Sequence, residues 1–339
     1  MNHHRSMIRQ PFRAFRIHDD GGKISTAIES LTLDNLTAGD VVIETRYSSV
    51  NYKDALAGSG QGKILRRYPL VGGIDAAGIV VESQSDDCKP GDEVLVTGCG
   101  LSEQFDGGYA EYLRPPASCV IPLPERLSLK QAMVMGTPAL TVALALHRME
   151  RNGQHPALGP IAITGASGGV GHLAIDIFSQ QGYEVVAVTR KAALHDHLVS
   201  IGASRVITPE ELVTNGRPLE RAVWGGAVDT VGGEQLAELC RTTHEWGNIA
   251  SIGLAAGAQL NTTVMPFILR GVSILGISST NCPGELRRKL WQRLGDELRP
   301  AHLAQIAIET ITMEQLDATF QKMVDGNMQG RVVVDINAT

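Results

Sequence analysis

Residues 161–171 constrain this chain more than any other stretch. Ile161-Ala162-Ile163-Thr164 is a short apolar run, and Gly165-Ala166-Ser167-Gly168-Gly169-Val170-Gly171 follows it at once, with a helical pattern opening directly behind. Glycines at 165, 168 and 171 let a backbone turn tightly, approach a pyrophosphate and pack a helix close to its strand. The helix N-terminus then offers free N–H groups and a partial positive charge. Alone such a run is a weak signal; the strand–turn–helix setting makes it a strong one. Gly165-x-Ser167-x-Gly169 also fits the nucleophile elbow of a serine hydrolase, which would leave Gly168 and Gly171 without purpose. A short-chain dehydrogenase turn fails, because none of the six tyrosines has a lysine four residues on.

The pattern around this turn sorts the chain into two parts. Up to about residue 130 it reads as strands and turns: residues 41–48 alternate with period two, 74–82, 93–97, 109–113 and 119–122 continue, and Lys89-Pro90-Gly91-Asp92 marks a tight turn. From Ser128 the period becomes helical, with a break expected at Gly136-Thr137-Pro138. After Pro160 strand and helix alternate: strands at 161–164, 183–188, 205–207, 227–231 and 248–252, helices at 170–181 and 194–201. This alternation predicts a doubly wound parallel sheet. A strand at 272–277, a charged helix at 284–298 and a strand at 331–336 close the chain. The expected division is a β domain over 1–130 with a leader at about 1–11, an α/β domain over 131–278, and a tail over 279–339 that rejoins the first domain.

Composition removes several function classes. The 339 residues suit about two domains. A net charge of −6 gives no reason to expect nucleic acid or an anionic membrane as partner. The five cysteines are few, odd in number and without a C-x-x-C pair, so neither a disulfide framework nor a structural zinc lobe is expected. The apolar stretch 132–146 is interrupted by Gly136, Thr137, Pro138 and Thr141 and reads as a buried core helix. The start is basic and lacks an apolar signal core, His3 and His4 included in a plain leader, so the cytoplasm is expected.

The second strand's end selects the cofactor. A site for NAD would place an acid about 20 residues beyond the turn. Here Val185-Val186-Ala187-Val188 ends in Thr189-Arg190-Lys191, and no acid follows until Asp196. A hydroxyl and two cations suit a 2′-phosphate, hence NADPH, unless Arg190 and Lys191 only open a solvated helix. Zinc chemistry lacks its ligands. No cysteine precedes Cys88, and Gly73-Ile74-Asp75 stands where zinc alcohol dehydrogenases carry Gly-His-Glu. Hydride transfer without a Lewis acid suits a C=C bond conjugated to a carbonyl, with the enolate charge stabilised by donors.

Residues 48–56 (Ser-Ser-Val-Asn-Tyr-Lys-Asp-Ala-Leu), Gly72-Gly73-Ile74-Asp75, residues 164–171, Thr263-Val264-Met265-Pro266-Phe267-Ile268-Leu269-Arg270 and Gln329-Gly330-Arg331 together resemble the zinc-free medium-chain dehydrogenase/reductases of the quinone oxidoreductase branch. Within that branch they are most similar to the acryloyl-CoA reductases. The resemblance runs in register from about residue 40 to the C-terminus. It implies a GroES-like β domain plus a Rossmann domain, and NADPH-dependent reduction of acryloyl-CoA to propionyl-CoA. An NADPH:quinone or general enone reductase is the alternative on the same scaffold; a hydrolase at Ser167 and a non-catalytic NADPH-binding protein are remoter ones. The extended leader and Thr189-Arg190-Lys191, where relatives often have Ser-Gly-Arg, are departures.

By that resemblance Tyr52 faces the nicotinamide as hydrogen-bond or proton donor, against the plainer reading of a packed aromatic. Asn51 and Asp54 are expected to be structural, Asp54 capping the following helix. Ser167, Gly168, Gly169 and Val170 are expected at the pyrophosphate, and Thr189, Arg190, Lys191 and Arg205 at the adenosine phosphate. Leu254, Ile268 and Ser279 are expected on the nicotinamide side, with Asn327 and Arg331 near the same cleft; no metal ligands are expected. Two cation clusters, Lys63/Arg66/Arg67 and Arg287/Arg288/Lys289, are each either a solvated face or a clamp for CoA phosphates. The strand at 272–277 implies a homodimer.

Overall fold

The computed structural model describes residues 10–338; His3, His4 and most of the leader lie outside them. The chain opens on β1 (Phe12–Asp20) and β2 (Lys23–Leu31), a hairpin turned at Gly21-Gly22, where both residues have positive φ. This hairpin is absent from the sequence expectations. β2 is polar on both faces and shows no alternation, although a Gly-Gly pair between facing strands is itself a hairpin signal.

β3 (Val41–Val50), α1 (Tyr52–Gly58), β4 (Leu70–Val71), β5 (Asp75–Ser83), β6 (Glu93–Thr97), β7 (Tyr112–Leu113) and β8 (Ile121–Pro122) follow. α2 (Leu129–Arg151) comes next, its helical dihedrals broken at Gly136. The alternating region holds β9 (Ile161–Thr164), α3 (Gly169–Gln180), β10 (Val185–Val188), α4 (His195–Ser200), β11 (Arg205–Ile207), β12 (Trp224–Asp229), α5 (Gly233–Thr242), β13 (Thr243–Ser251), α6 (Met265–Arg270) and β14 (Ser273–Gly276). The chain ends with α7 (Gly284–Gly295), α8 (Leu303–Ile306), β15 (Ala307–Ile311), α9 (Leu316–Val324) and β16 (Arg331–Asp335).

Two compact units result. The first takes residues 1–137, 280–295 and 307–339; the second takes 138–279 and 296–306. In the first unit β3 is the hub: it pairs antiparallel with β5, β7 and β16, within a sheet ordered β15-β16-β3-β5-β6-β8. Its core joins Phe15, Tyr109 and Phe320, whose rings meet edge-on or tilted, with Leu70, Val71 and Val334. The second unit is a parallel sheet in the order β11-β10-β9-β12-β13-β14. This is a GroES-like domain and a Rossmann domain. Among the described residues only α2 is long and apolar enough in composition to cross a bilayer. It is kinked at Gly136 and carries fully buried Met133, Leu140, Val142 and Leu146, so it reads as a core helix.

One cysteine pair is joined. Antiparallel pairing of β6 with β8 brings Cys99 and Cys119 to a Cα–Cα distance of 5.8 Å, where they form a disulfide, while Cys88, Cys240 and Cys282 are buried thiols. No short-range spacing announces this bridge; it depends on strand pairing.

Candidate active site

The glycine turn lies wholly in the second unit, at the carboxyl end of β9 (Thr164). Gly165 has φ +60°, and a side chain there would strike Thr230 Oγ1 at 2.2 Å. A Cβ on Gly171 would lie 2.5 Å from the Gly165 carbonyl oxygen, so the first turn of α3 packs directly on the turn before it. Gly168 donates its N–H back to Gly165 (3.0 Å) and serves as N-cap, leaving the N–H groups at the start of α3 pointing out of the helix end. Residues Ser167, Gly168, Gly169 and Val170 thus stand where backbone N–H groups could hold a pyrophosphate.

Side chains brace this turn from behind. Thr164 Oγ1 donates to the buried Asp229 carboxylate at 2.6 Å and accepts from Thr230 N–H at 3.0 Å, tying the ends of β9 and β12 together. Burial raises the Asp229 pKa, while Thr164 and the N–H groups of Gly232 and Val231 pull it back. Asp229-Thr230-Val231-Gly232-Gly233 was the readable trace of this brace, and sequence reasoning passed over it. His172, fully buried on α3, holds the Gly168 carbonyl through Nδ1 at 3.0 Å. Burial pushes its pKa down to about 4, so the ring is neutral at physiological pH. Its Nε2 has no hydrogen-bond partner. Among the described residues no hydrogen bond joins Ser167 to a histidine, so the pairing that a serine hydrolase needs is not formed.

At the end of β10, Thr189 is buried and its Oγ1 accepts from the Lys191 N–H at 3.1 Å. Arg190 is exposed, with a loose ion pair to Glu210 at 3.7 Å. Lys191 is partly buried, which lowers its pKa. These three residues sit beside the turn, because β10 and β9 run in register from Val188 to Thr164. Arg205 is set apart. It occupies the start of β11, opposite Val186, and its guanidinium lies over Trp224 at 5.9 Å. The structure thus does not bring it to Thr189–Lys191. Leu254 and Ile268 are exposed at 67% and 71%, and Ser279 accepts a hydrogen bond from Thr141 at 2.8 Å; all three lie in the second unit.

Tyr52, Asn327 and Arg331 belong to the first unit. Tyr52 opens α1 and is 49% exposed, so it is not a packed aromatic. Asn327 is exposed in the turn after α9. Arg331 is buried: Nε donates to the Val134 carbonyl (2.9 Å), Nη1 to the Val50 carbonyl (2.9 Å) and Asn51 Oδ1 (3.1 Å), and Nη2 to Ser49 Oγ (2.8 Å). It organises protein groups beneath Tyr52 rather than offering its fork to a ligand.

The network around Arg331 is the feature that sequence reasoning missed. Asp75 accepts from Ser49 Oγ (2.8 Å), Asn51 Nδ2 (2.9 Å), Thr137 N–H (3.0 Å) and Thr137 Oγ1 (2.5 Å), with Arg331 Nη2 at 4.0 Å. Gly136 must be glycine here, since a Cβ would fall 2.5 Å from Asp75 Oδ2 and 2.9 Å from Arg331 Nη2. Asp54 does cap α1, as the third residue of a capping box with Asn51 and not from ahead of the helix. It sits inside α1, and its carboxylate reaches back to the Asn51 N–H (2.9 Å) and across to the Ile74 N–H (2.9 Å). Burial, then the charge of Asp75, raises its pKa to about 7. The Asn51 side chain is held on three sides, and the residue after it is Tyr52. The Asp75 carboxylate is thus engaged by protein donors on both oxygens. Among the described residues no three His, Cys, Asp or Glu side chains are grouped to hold a metal ion.

The second cation cluster dissolves. Arg287 is buried and donates to the carbonyls of Thr97, Thr280 and Cys282, and Arg288 pairs with Asp87 at 2.8 Å. Lys63, Arg66 and Arg67 all remain exposed.

Comparisons with known proteins agree with this geometry. Residues 37–125 match the family described as alcohol dehydrogenase GroES-like domain, and residues 169–296 match zinc-binding dehydrogenase. The chain is 41% identical over 326 residues to the quinone oxidoreductase-type protein YhfP of Bacillus subtilis, covering 96% of this chain and 99% of that one. A crystal structure of that protein with NAD bound matches with a TM-score of 0.93. Acrylyl-CoA reductase AcuI of Ruegeria pomeroyi is 41% identical over 321 residues, covering 94% and 97%. The crystal structure of Escherichia coli K-12 YhdH with bound NADPH matches with a TM-score of 0.92 at 40% identity, covering 96% and 100%.

Proposed function

The chain belongs to the medium-chain dehydrogenase/reductase family, in the branch of quinone oxidoreductases and acrylyl-CoA reductases, and on that premise we propose that it reduces the C=C bond of acryloyl-CoA with NADPH in the cytoplasm. When bound, the nicotinamide supplies a hydride to the β-carbon of the acceptor. The chain's own residues do the rest. Ser167 to Val170 hold the pyrophosphate on backbone N–H groups, and Thr189, Arg190 and Lys191 take the 2′-phosphate. The Tyr52 phenol donates a hydrogen bond to the acceptor as enolate charge develops and stands ready to deliver the α-carbon proton.

One observation carries the reading: Tyr52 presents its phenol to solvent from a helix start that Asn51, Asp54, Asp75 and Arg331 clamp from beneath. A group held this way costs little reorganisation when charge appears. The assay is NADPH oxidation by the purified protein, with acryloyl-CoA and a simple quinone at equal concentration and NADH as control. Acryloyl-CoA and NADPH are expected to win together. A faster quinone leaves fold and cofactor standing and removes the thioester. Tyr52→Phe is expected to lower turnover at least about tenfold with NADPH affinity intact, and unchanged turnover removes Tyr52 from the chemistry. Pairing of two copies through β14 completes the proposal.

A further inference from the structure

We propose that Lys63, Arg66 and Arg67 form the subsite that grips the phosphates of an acyl-CoA acceptor; the proposal rests on the thioester reading above and says where that substrate's nucleotide end is held. The three cations stand on the segment between α1, which begins with Tyr52, and β4. That segment is fixed. Gly62 donates its N–H to the Leu56 carbonyl (3.1 Å), Arg66 donates its N–H to the Glu103 carbonyl (2.9 Å), and Leu65 is buried between them. Lys63, Arg66 and Arg67 project outward around this anchor.

Their charge is uncompensated. Arg13, Arg16, Lys53, Arg241 and Arg288 each pair with a carboxylate. Among the described residues no ion pair reaches Lys63, Arg66 or Arg67, and Glu103, whose carbonyl accepts from the Arg66 N–H, has its carboxylate taken by Lys53. Three cations within five positions, on an anchored segment, concentrate positive charge where an anion can meet all of them. Arginine forks select phosphate geometry, and more than one cation suits a ligand with more than one phosphate. Coenzyme A carries a 3′-phosphate and a pyrophosphate at the end remote from its thioester. The phosphates of NADPH already have their own cradle and cations in the second unit.

The test uses the full-length protein with the triple change Lys63→Gln, Arg66→Gln and Arg67→Gln. Three exposed ion pairs, each worth a few-fold, predict a KM for acryloyl-CoA raised about tenfold, with KM for a small CoA-free enone and the Kd for NADPH unchanged. Adenosine 3′,5′-bisphosphate is expected to compete with acryloyl-CoA in the wild type and to lose potency in the variant. Adenosine 2′,5′-bisphosphate is expected to compete with NADPH equally in both. An unchanged KM for acryloyl-CoA, or inorganic phosphate inhibiting as well as the 3′,5′-bisphosphate, overturns the subsite. If the wild type ignores acryloyl-CoA, the thioester reading falls by itself, and titration with the 3′,5′-bisphosphate still decides the site: binding lost in the variant sustains it, no binding ends it. Should the triple variant fail to bind NADPH, Arg66→Gln alone, soluble and NADPH-competent, carries the same comparison.

Discussion

Asp54 and His172 are buried titratable groups pushed in opposite directions. Burial and Asp75 lift Asp54 from 3.8 to about 7, so the folded protein holds this proton more tightly than the unfolded chain does. Its share of stability is full below the unfolded value and is lost as pH rises through about 7. Burial lowers His172 from 6.5 to about 4; its share is present above 6.5 and is lost as pH falls towards 4. Over this range the two slopes oppose each other. Asp54→Asn is therefore expected to gain in Tm relative to wild type as pH climbs from 4 to 7, and His172→Gln to gain as pH drops from 6.5 to 4. Thermal unfolding across a pH series checks both, each by several degrees. A pH-independent offset from wild type in either variant rejects that residue's titration. Neither shift was legible in the sequence: Asp54 showed as a cap and His172 not at all, because burial arises only once β5, α1 and α3 are packed.

At the scale of elements, patterns that repeat were readable and contacts between them were not. The β9–glycine–α3 run was found where it stands, because its spacing encodes its geometry. Gly171 carries the sharpest consequence. An added methyl would meet the Gly165 carbonyl oxygen at 2.5 Å and Ala166 Cα at 2.6 Å, both backbone, so α3 has to shift off the turn. Overpacking of this kind costs on the order of 1–3 kcal/mol, and Gly171→Ala is expected to weaken NADPH binding at least about tenfold in a fluorescence titration. Native affinity in that variant would show that the cradle tolerates a displaced helix. The β1–β2 hairpin, by contrast, escaped notice because β2 buries little and so shows no period. The clamp under Tyr52 escaped because Ser49, Asp75, Thr137 and Arg331 are far apart in the chain and meet only through the pairing of β3 with β5 and β16 and the hydrogen bonds of Thr137, at the break in α2, to Asp75.

For the whole molecule, β14 is decisive. Among the described residues it is the last strand of its sheet and pairs only with β13. Ile277 directs its N–H to Ser251 of β13, so by alternation Ile274 directs its own outward. An open edge of this kind is a template for another strand. Sedimentation is expected to give twice the chain mass, and Ile274→Pro, which removes an outward donor, to shift the protein towards the monomer. A monomeric wild type removes the pairing from the proposal. At this scale the sequence was most informative, since motifs in register over most of the chain identify a family that no single motif could.

The kink in α2 has a consequence for recombination. The chain passes from the first unit to the second between Thr137 and Pro138. Gly136, Thr137, Asp75 and Arg331 all fall on one side of that crossing, so a chimera joined there inherits the clamp under Tyr52 whole. A junction placed a turn earlier would split it, putting a foreign residue where only a hydrogen fits against Asp75. The donor fragment must also bring its counterpart of residues 296–306, which return to the second unit after α7. Exchange of the nucleotide-binding half is thus a two-segment operation with four junctions, the first of them dictated by the buried ion pair.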